Sequence, residues 1–343
     1  MTPAESRACL HRLQPTLEDD GLAACDFVVE AIVENLAVKQ RLFADLGHRI
    51  SPPGVLATNT SSLSIDAIGR LAAGRERVAG MHFFNPVDRM PLVEVVVGPH
   101  TGDDAVRTVA AFARRLGKTP IVVREGPGFL VNRLLAFYSA EALWLLDEGY
   151  SVETIDRALV QWGMPMGPLR LADEVGLDVS AKVGEILHEA FGDRLPFPSW
   201  LARLHADGRL GAKSGRGIYR YASGSARGVD PGIYSSAGLA APRRGSADAA
   251  TLAERLVLPM VNEAARCLEE GVARDAGDID LAMIFGTGFP PFRGGLCRWA
   301  DGVGLAVVVE RLEALTATVG KRCLPSDALR RFAGAGGFYA AAT

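Results

Sequence analysis

The chain has 343 residues and 48% hydrophobic content, which is enough for two or three ordinary domains with real cores. Its formal charge of -3 gives no general reason to expect nucleic acid or an anionic membrane surface as a partner, so any phosphate must be met locally. Five scattered cysteines without CxxC spacing suggest neither a disulfide framework nor a zinc site, and no apolar run has signal-peptide or bilayer-spanning length; a reducing cytoplasm fits best.

From Asp26 to about Arg124, short β-rich runs alternate with helical periodicity. "DFVVEAI" predicts a strand, and "NLAVKQRLFADLGHRI" a helix with Leu36, Leu42 and Leu46 along one side. "GVLATN", "MHFFNP" and "LVEVVV" predict the next three strands. "DDAVRTVAAFARRLG" has acids in its first turn, arginines near its end and a closing glycine, the marks of a helix, and "PIVV" gives a fifth strand. This pattern belongs to an α/β sheet that is parallel at least at its start.

After "REGPGF" the chain turns to long helical segments. "NRLLAFYSAEALWLLDEGYSVETIDRAL" is echoed by "ERLVLPMVNEAARCLEEGVARDAGDIDLAM", so that Arg133 matches Arg255, Glu141 matches Glu263, Gly149 matches Gly271 and Asp156 matches Asp280. Each copy runs into a Gly/Pro turn, "GMPMGP" or "GTGFPPFRGG", and then into "DEVG" or "DGVG". A helical unit has been duplicated internally. The expected division is an α/β region over 1–125, a first helical copy over 126–222, a Gly/Ser/Ala-rich linker over 223–248 and a second copy over 249–343.

His82 and Glu94 stand in apolar strands where solvent is scarce, about a dozen residues apart across the turn-forming "NPVDRMP". They suit either a satisfied core pair or an acid/base pair, in which the carboxylate fixes the imidazole tautomer and balances its charge. "ATNTSSLSI" gathers Asn59, Thr60, Ser61 and Ser62 at the carboxyl end of a strand, where open α/β sheets bind ligands and where a helix also needs its cap. Asn132 enters the first long helix from "GPGF". "GRLGAKSGRGIYRY" is rich in glycine with a lysine but does not fit the Walker spacing, "AGAGG" follows no strand, and no GxGxxG lies ahead of the strand pattern.

Together "DFVVEAIVENLAVKQ", "TNTSSLSI", "GMHFFNPVDRMPLVEVVVG", "GPGFLVNRLL", "GMPMGPLRLADEVGLDV" and "GRLGAKSGRGIYRY" resemble the 3-hydroxyacyl-CoA dehydrogenase family over nearly the whole chain. The second helical copy is similar to the dehydrogenase half of the fatty-acid oxidation complex α subunit. The resemblance implies a Rossmann-type NAD-binding domain followed by a duplicated all-α domain. It also implies NAD-dependent oxidation of (3S)-3-hydroxyacyl-CoA to 3-oxoacyl-CoA in β-oxidation. His82 would take the hydroxyl proton and Glu94 would orient the imidazole, with Ser61 and Asn132 holding substrate. Ile32, Val33, Glu34, Lys39, Ser61 and Asn85 would lie near NAD, with Lys213 as a further cofactor-side candidate.

In that family a strand, a GxGxxG turn, a helix and a second strand open the dinucleotide domain, and the resemblance implies that this chain starts after them. "RLQPTLE" is then expected to be the remnant of a third strand, the dinucleotide domain to be incomplete, and the edge of "DFVVEAI" to be bare. Two readings follow: an active dehydrogenase lineage, or an acyl-CoA-binding or assembly module with little turnover. The implied partners are acyl-CoA and either a thiolase or a second copy of the chain, with no nucleic acid and no membrane insertion.

Overall fold

A computed structural model describes residues 2–18, 21–243 and 248–340. A short helix α1 (Pro3–Leu10) precedes the sheet region, where β1 (Phe27–Glu30), α2 (Leu36–Arg49), β2 (Val55–Thr58), α3 (Ile65–Gly69) and β3 (Val78–Phe83) follow in turn. They are completed by β4 (Leu92–Val97), α4 (Asp103–Arg115) and β5 (Thr119–Arg124). Among the described residues the strands form one sheet in the order β1-β2-β3-β4-β5. β1, β2 and β3 run parallel because helices carry the chain between them. The link from β3 to β4 is too short for a crossover, so this pair is antiparallel, and β5 is again parallel to β4.

Residues 12–18 form no strand, contrary to the expectation for "RLQPTLE". A strand needs a hydrogen-bonded neighbour, and among the described residues β1 pairs only with β2; Leu13 and Leu17 instead lie exposed. Among the described residues β1 lies at the edge of the sheet, with Val29 38% exposed.

The first helical copy comprises α5 (Val131–Asp147), α6 (Val152–Trp162), α7 (Pro168–Val175), α8 (Leu177–Phe191) and α9 (Leu201–Ala206). A hairpin of β6 (Tyr219–Ala222) and β7 (Ser225–Val229) and a short helix α10 (Ile233–Ala237) come next. The second copy comprises α11 (Ala249–Glu269), α12 (Ala276–Thr287), α13 (Leu296–Val303), α14 (Leu305–Val319) and α15 (Asp327–Gly334). Much of the segment expected to be linker is thus folded: Ile233 and Ala237 are fully buried, and Asp230 is held by Arg209 and Arg216. Gly, Ser and Ala suit a tight hairpin and a close-packed short helix as well as a flexible tether. Residues 244–247 of that segment lie outside the described residues.

The matched residues of the duplication meet one another across the two copies. Arg133 donates to Glu263 at 2.7 Å and to Glu270 at 2.6 Å, while Arg255 donates to Glu141 at 2.7 Å and to Glu148 at 2.8 Å. Each copy supplies the arginine that neutralises the other copy's glutamate. α5 and α11 consequently pack together as the centre of the helical region.

Within each copy a second device repeats. Asp156 accepts from the amides of Leu169 and Arg170 at the start of α7 and from the Tyr219 hydroxyl; Asp280 accepts from Cys297, Arg298 and Tyr339 in the same way. Asp173 then takes the amides of Ile218 and Tyr219, and Asp301 those of Phe338 and Tyr339. A Cβ on Gly217 would stand 2.2 Å from Asp173, and one on Gly337 2.8 Å from Asp301. The glycines of "KSGRGIY" and "AGAGGFY" therefore let backbone close onto a carboxylate, fully buried at Asp173 and half-buried at Asp301, which accounts for both motifs.

Two outcomes follow. Arg133→Ala removes the nearest cation from the buried Glu263, leaving it only Arg266 and Arg194 at 3.4 and 3.6 Å, and urea denaturation is expected to show a loss of up to about 3–5 kcal/mol, as for a broken buried ion pair. Burial pushes the Asp156 carboxyl up to about 6 despite its hydrogen bonds to Tyr219, Leu169 and Arg170. Its contribution is complete below the unfolded pKa and is lost as pH rises through about 6. Asp156→Asn should therefore gain relative to the parent between pH 4 and pH 7, by up to about 3 kcal/mol, in urea midpoints measured across that range.

Candidate functional site

His82 and Glu94 are direct cross-strand partners on β3 and β4. His82 Nδ1 lies 2.7 Å from Glu94 Oε2, and both residues are buried. The other carboxylate oxygen, Oε1, accepts the backbone amides of Leu130 at 3.1 Å and Val131 at 2.9 Å. These amides belong to the first turn of α5, where N–H groups lack helical partners and favour a negative charge. With Oε1 taken by two amides, Oε2 is the oxygen left to accept from the imidazole. Nδ1 is then the donor, and Nε2, hydrogen-bonded by no described residue, keeps its lone pair.

The turn that delivers these amides is unusual. Phe129 has φ 51°, in the left-handed region that ordinary side chains avoid. Its ring stands edge-on to the imidazole, with centroids 5.7 Å apart, and Phe84 covers the imidazole from 4.7 Å. One residue thus both aims the α5 amides at Glu94 and walls the histidine.

The hydroxyl loop after β2 is held from below by acids. Glu34 accepts from the Thr60 hydroxyl at 2.5 Å, the Ser61 amide at 3.1 Å and the Ser62 hydroxyl at 3.4 Å. Burial would raise the Glu34 carboxyl, but the Thr60 hydroxyl, the Lys39 ammonium and the Ser61 amide outweigh it and hold the group below the ordinary glutamate value. Lys39 is buried between Glu30 at 2.6 Å and Glu34 at 3.3 Å. Asn59 accepts the Phe83 amide, tying the ends of β2 and β3 together. Asn132 Nδ2 reaches the Ser61 carbonyl at 3.5 Å, so the loop, the start of α5 and the His82–Glu94 pair form one cluster.

Other expected positions divide. Ile32 and Val33 are 45% and 66% exposed just past β1, and Asn85 is exposed just past β3, all at the carboxyl edge of the parallel strands. Lys39 is spent on Glu30 and Glu34, so its reach toward any ligand runs through Glu34. Lys213 lies in the helical region, ion-paired with Asp178 at 2.5 Å, and among the described residues no hydrogen bond or ion pair joins it to the cluster. The parts missed from sequence are the Leu130 and Val131 amides, the Phe84 and Phe129 rings and the Glu30 clasp. A helix start directly after "GPGF" is the available signal for the amides.

Two family models match the chain: the 3-hydroxyacyl-CoA dehydrogenase NAD binding domain over residues 1–126, and the C-terminal domain of the same family over 128–221 and 252–342. The chain belongs to the 3-hydroxyacyl-CoA dehydrogenase family. It carries the NAD-binding and C-terminal domains of these oxidoreductases, and the second C-terminal match falls on the second helical copy. A fatty acid oxidation complex subunit alpha from Shewanella baltica is 43% identical over 335 residues, covering 97% of this chain and 47% of the relative. The corresponding Shewanella amazonensis subunit is 44% identical over 338 residues, covering 98% and 48%. This family member thus spans about half the length of the curated relatives it matches.

Among solved structures, 3-hydroxybutyryl-CoA dehydrogenase from Escherichia coli K12 is similar with TM-score 0.83 and 31% identity, covering 97% of this chain and 86% of that one. The dehydrogenase part of multifunctional enzyme 1 from C. elegans gives TM-score 0.68 and 27% identity, covering 96% and 77%. The dyad of this dehydrogenase-family chain depends on the Phe129 turn. Phe129→Gly keeps the left-handed backbone without strain, whereas Phe129→Ala keeps the strain and loses the ring; urea denaturation should find the alanine variant less stable by about 1 kcal/mol.

Proposed function

We propose that the chain oxidises a (3S)-3-hydroxyacyl-CoA to the 3-oxoacyl-CoA with NAD, as a step of fatty-acid β-oxidation. The observation that carries this reading is the His82–Glu94 pair: with Glu94 accepting from Nδ1, Nε2 is left as an acceptor. The substrate's 3-hydroxyl proton passes to His82 Nε2, and the Glu94 carboxylate balances the imidazolium that forms. Ser61 and Asn132, joined through the Ser61 carbonyl, hold the substrate oxygen against the imidazole.

The residues at the sheet's carboxyl edge suit a dinucleotide. Ile32 and Val33 offer exposed apolar surface beside the Glu34-held hydroxyl loop, and Asn85 and Ser61 supply polar groups. When bound there, NAD supplies the acceptor for the hydride. Glu34 and Lys39 keep the loop in register, and Lys213 is a cofactor contact only if Asp178 releases it. The cytoplasm suits five unpaired cysteines, and among the described residues no helix is long and apolar enough to cross a membrane. A thiolase or a second copy of the chain is the proposed partner, consistent with relatives named as subunits of a complex.

Oxidation of NADH by acetoacetyl-CoA on the purified chain tests the reading. His82→Gln should lower kcat by about 10²–10⁴-fold while acetoacetyl-CoA still binds in calorimetry, and Glu94→Gln should act mainly on kcat as well. Near-normal turnover by the His82 variant overturns the proton-transfer role. Substrate binding with no turnover by the unaltered chain favours an acyl-CoA-binding or assembly module instead.

A further inference from the structure

The two halves of the helical region are alike in their buried arginines but differ at one position beside them. The correspondence that equates Arg133 with Arg255 also equates Trp144 with Arg266. In the same way Asp193-Arg194, in the turn after α8, answers to Lys321-Arg322 in the turn after α14.

On one side the space is filled. Arg322 donates to Glu141 at 2.6 Å, and its guanidinium lies 4.8 Å from the centre of the Trp144 ring. The indole Nε1 donates to the Pro196 carbonyl at 2.9 Å. Both turn arginines have an aromatic face, Arg322 on Trp144 and Arg194 on Phe191, each at 4.8 Å, but only Arg322 also has a close carboxylate.

On the other side the tryptophan is replaced by Arg266, and a cavity of about 200 Å³ is open between the copies. Arg194, Arg266, Lys321 and Arg322 line it together with Asn262, Phe137 and Leu324, and its carboxylates are Asp193, exposed, and Glu263. Glu263 is overcommitted. One oxygen binds Arg133 at 2.5 Å, and the other is shared between Arg266 at 3.4 Å and Arg194 at 3.6 Å. Arg266 Nε is buried without a hydrogen-bond partner, and Lys321, exposed, lines the same cavity. Arg322 is neutralised by Glu141 and Glu148, and the Asn262 amide is spent on the Leu324 carbonyl and the Ser326 amide. Burial, with Arg194 and Arg133 adding to it, lowers the Arg266 guanidinium against the pull of Glu263 and Glu270.

We propose that this cavity binds a phosphate or diphosphate group between Arg194 and Arg266, with Lys321 at its mouth. Two guanidiniums that share one carboxylate oxygen have unused donors in a fork geometry that matches a tetrahedral oxyanion, and the volume exceeds several waters' share of about 30 Å³ each. The site is separate from the His82–Glu94 cluster. Asn132 turns toward Ser61, whereas Phe137 lines the cavity more than a helical turn further along α5. Arg194 comes from the first copy and Arg266 and Lys321 from the second, so the bound anion fastens the copies together.

Calorimetry and thermal unfolding of the full chain with inorganic pyrophosphate, against sodium chloride at equal ionic strength, test this. Saturable binding of one pyrophosphate and a raised Tm are expected. Arg266→Trp restores the residue of the matching position and fills the cavity; it should keep the fold and weaken pyrophosphate binding at least about tenfold, as should Arg266→Gln. A parallel titration with ADP separates sources: a tighter Kd for ADP, lost in both variants, assigns the site to a nucleotide phosphate, and an equal Kd to a free anion. Absence of any effect beyond chloride, or pyrophosphate binding undiminished in both variants, overturns the proposal.

Discussion

The carboxylate of Glu94 is the joint on which the molecule turns. It sits on a central strand, fully buried, and could not remain charged there without strong compensation. Compensation comes from two directions: the imidazole of His82 on the neighbouring strand and the first amides of α5 on the helical side. The same contacts that make the charge tolerable fix the histidine tautomer and set the entry of α5. The contacts that join the helical region to the sheet here are the ones that hold the dyad, and Phe129 carries the left-handed backbone that this requires.

The second copy reaches the same place by another route. Val272 accepts the Arg124 amide at the end of β5, and α12 packs on β4 and β5. A Cβ on Gly286 would come within 2.6 Å of Leu92 and 3.4 Å of Val131, neighbours of the strand and helix that hold Glu94. The crossed Arg133–Glu263 and Arg255–Glu141 pairs lock the copies against each other. Their charges are buried, so their value lies in the single arrangement that satisfies all of them.

Much of this architecture was legible in the residues. Period-two and helical patterns gave the five strands and their helices in order, and the duplication was visible because Arg, Glu, Gly and Asp recur at matching places. Other features were hidden for physical reasons. "RLQPTLE" was expected to be a strand from the family resemblance alone, but a strand exists only beside another strand. The Gly/Ser/Ala segment reads as a tether because composition reports flexibility of the chain and not the neighbours that remove it. "GRGIY" and "AGAGG" fit no phosphate-loop spacing; their glycines mark close backbone approach, while what is approached, Asp173 or Asp301, lies far away in the chain.

The sequence by itself determined which groups carry charge in apolar surroundings: His82, Glu94, the duplicated arginines and glutamates, and the aspartates that follow them. It also fixed the family, because motifs of residue type and spacing survive without coordinates. Only the tertiary structure decided which partners these groups have. Arg133 answers Glu263 and not its own copy's Glu141, Glu94 is balanced by backbone amides that have no residue-type signature, and Lys39 is spent beneath the hydroxyl loop. Hydrogen bonds and ion pairs act over a few ångströms, and proximity between distant segments is a property of the folded chain alone.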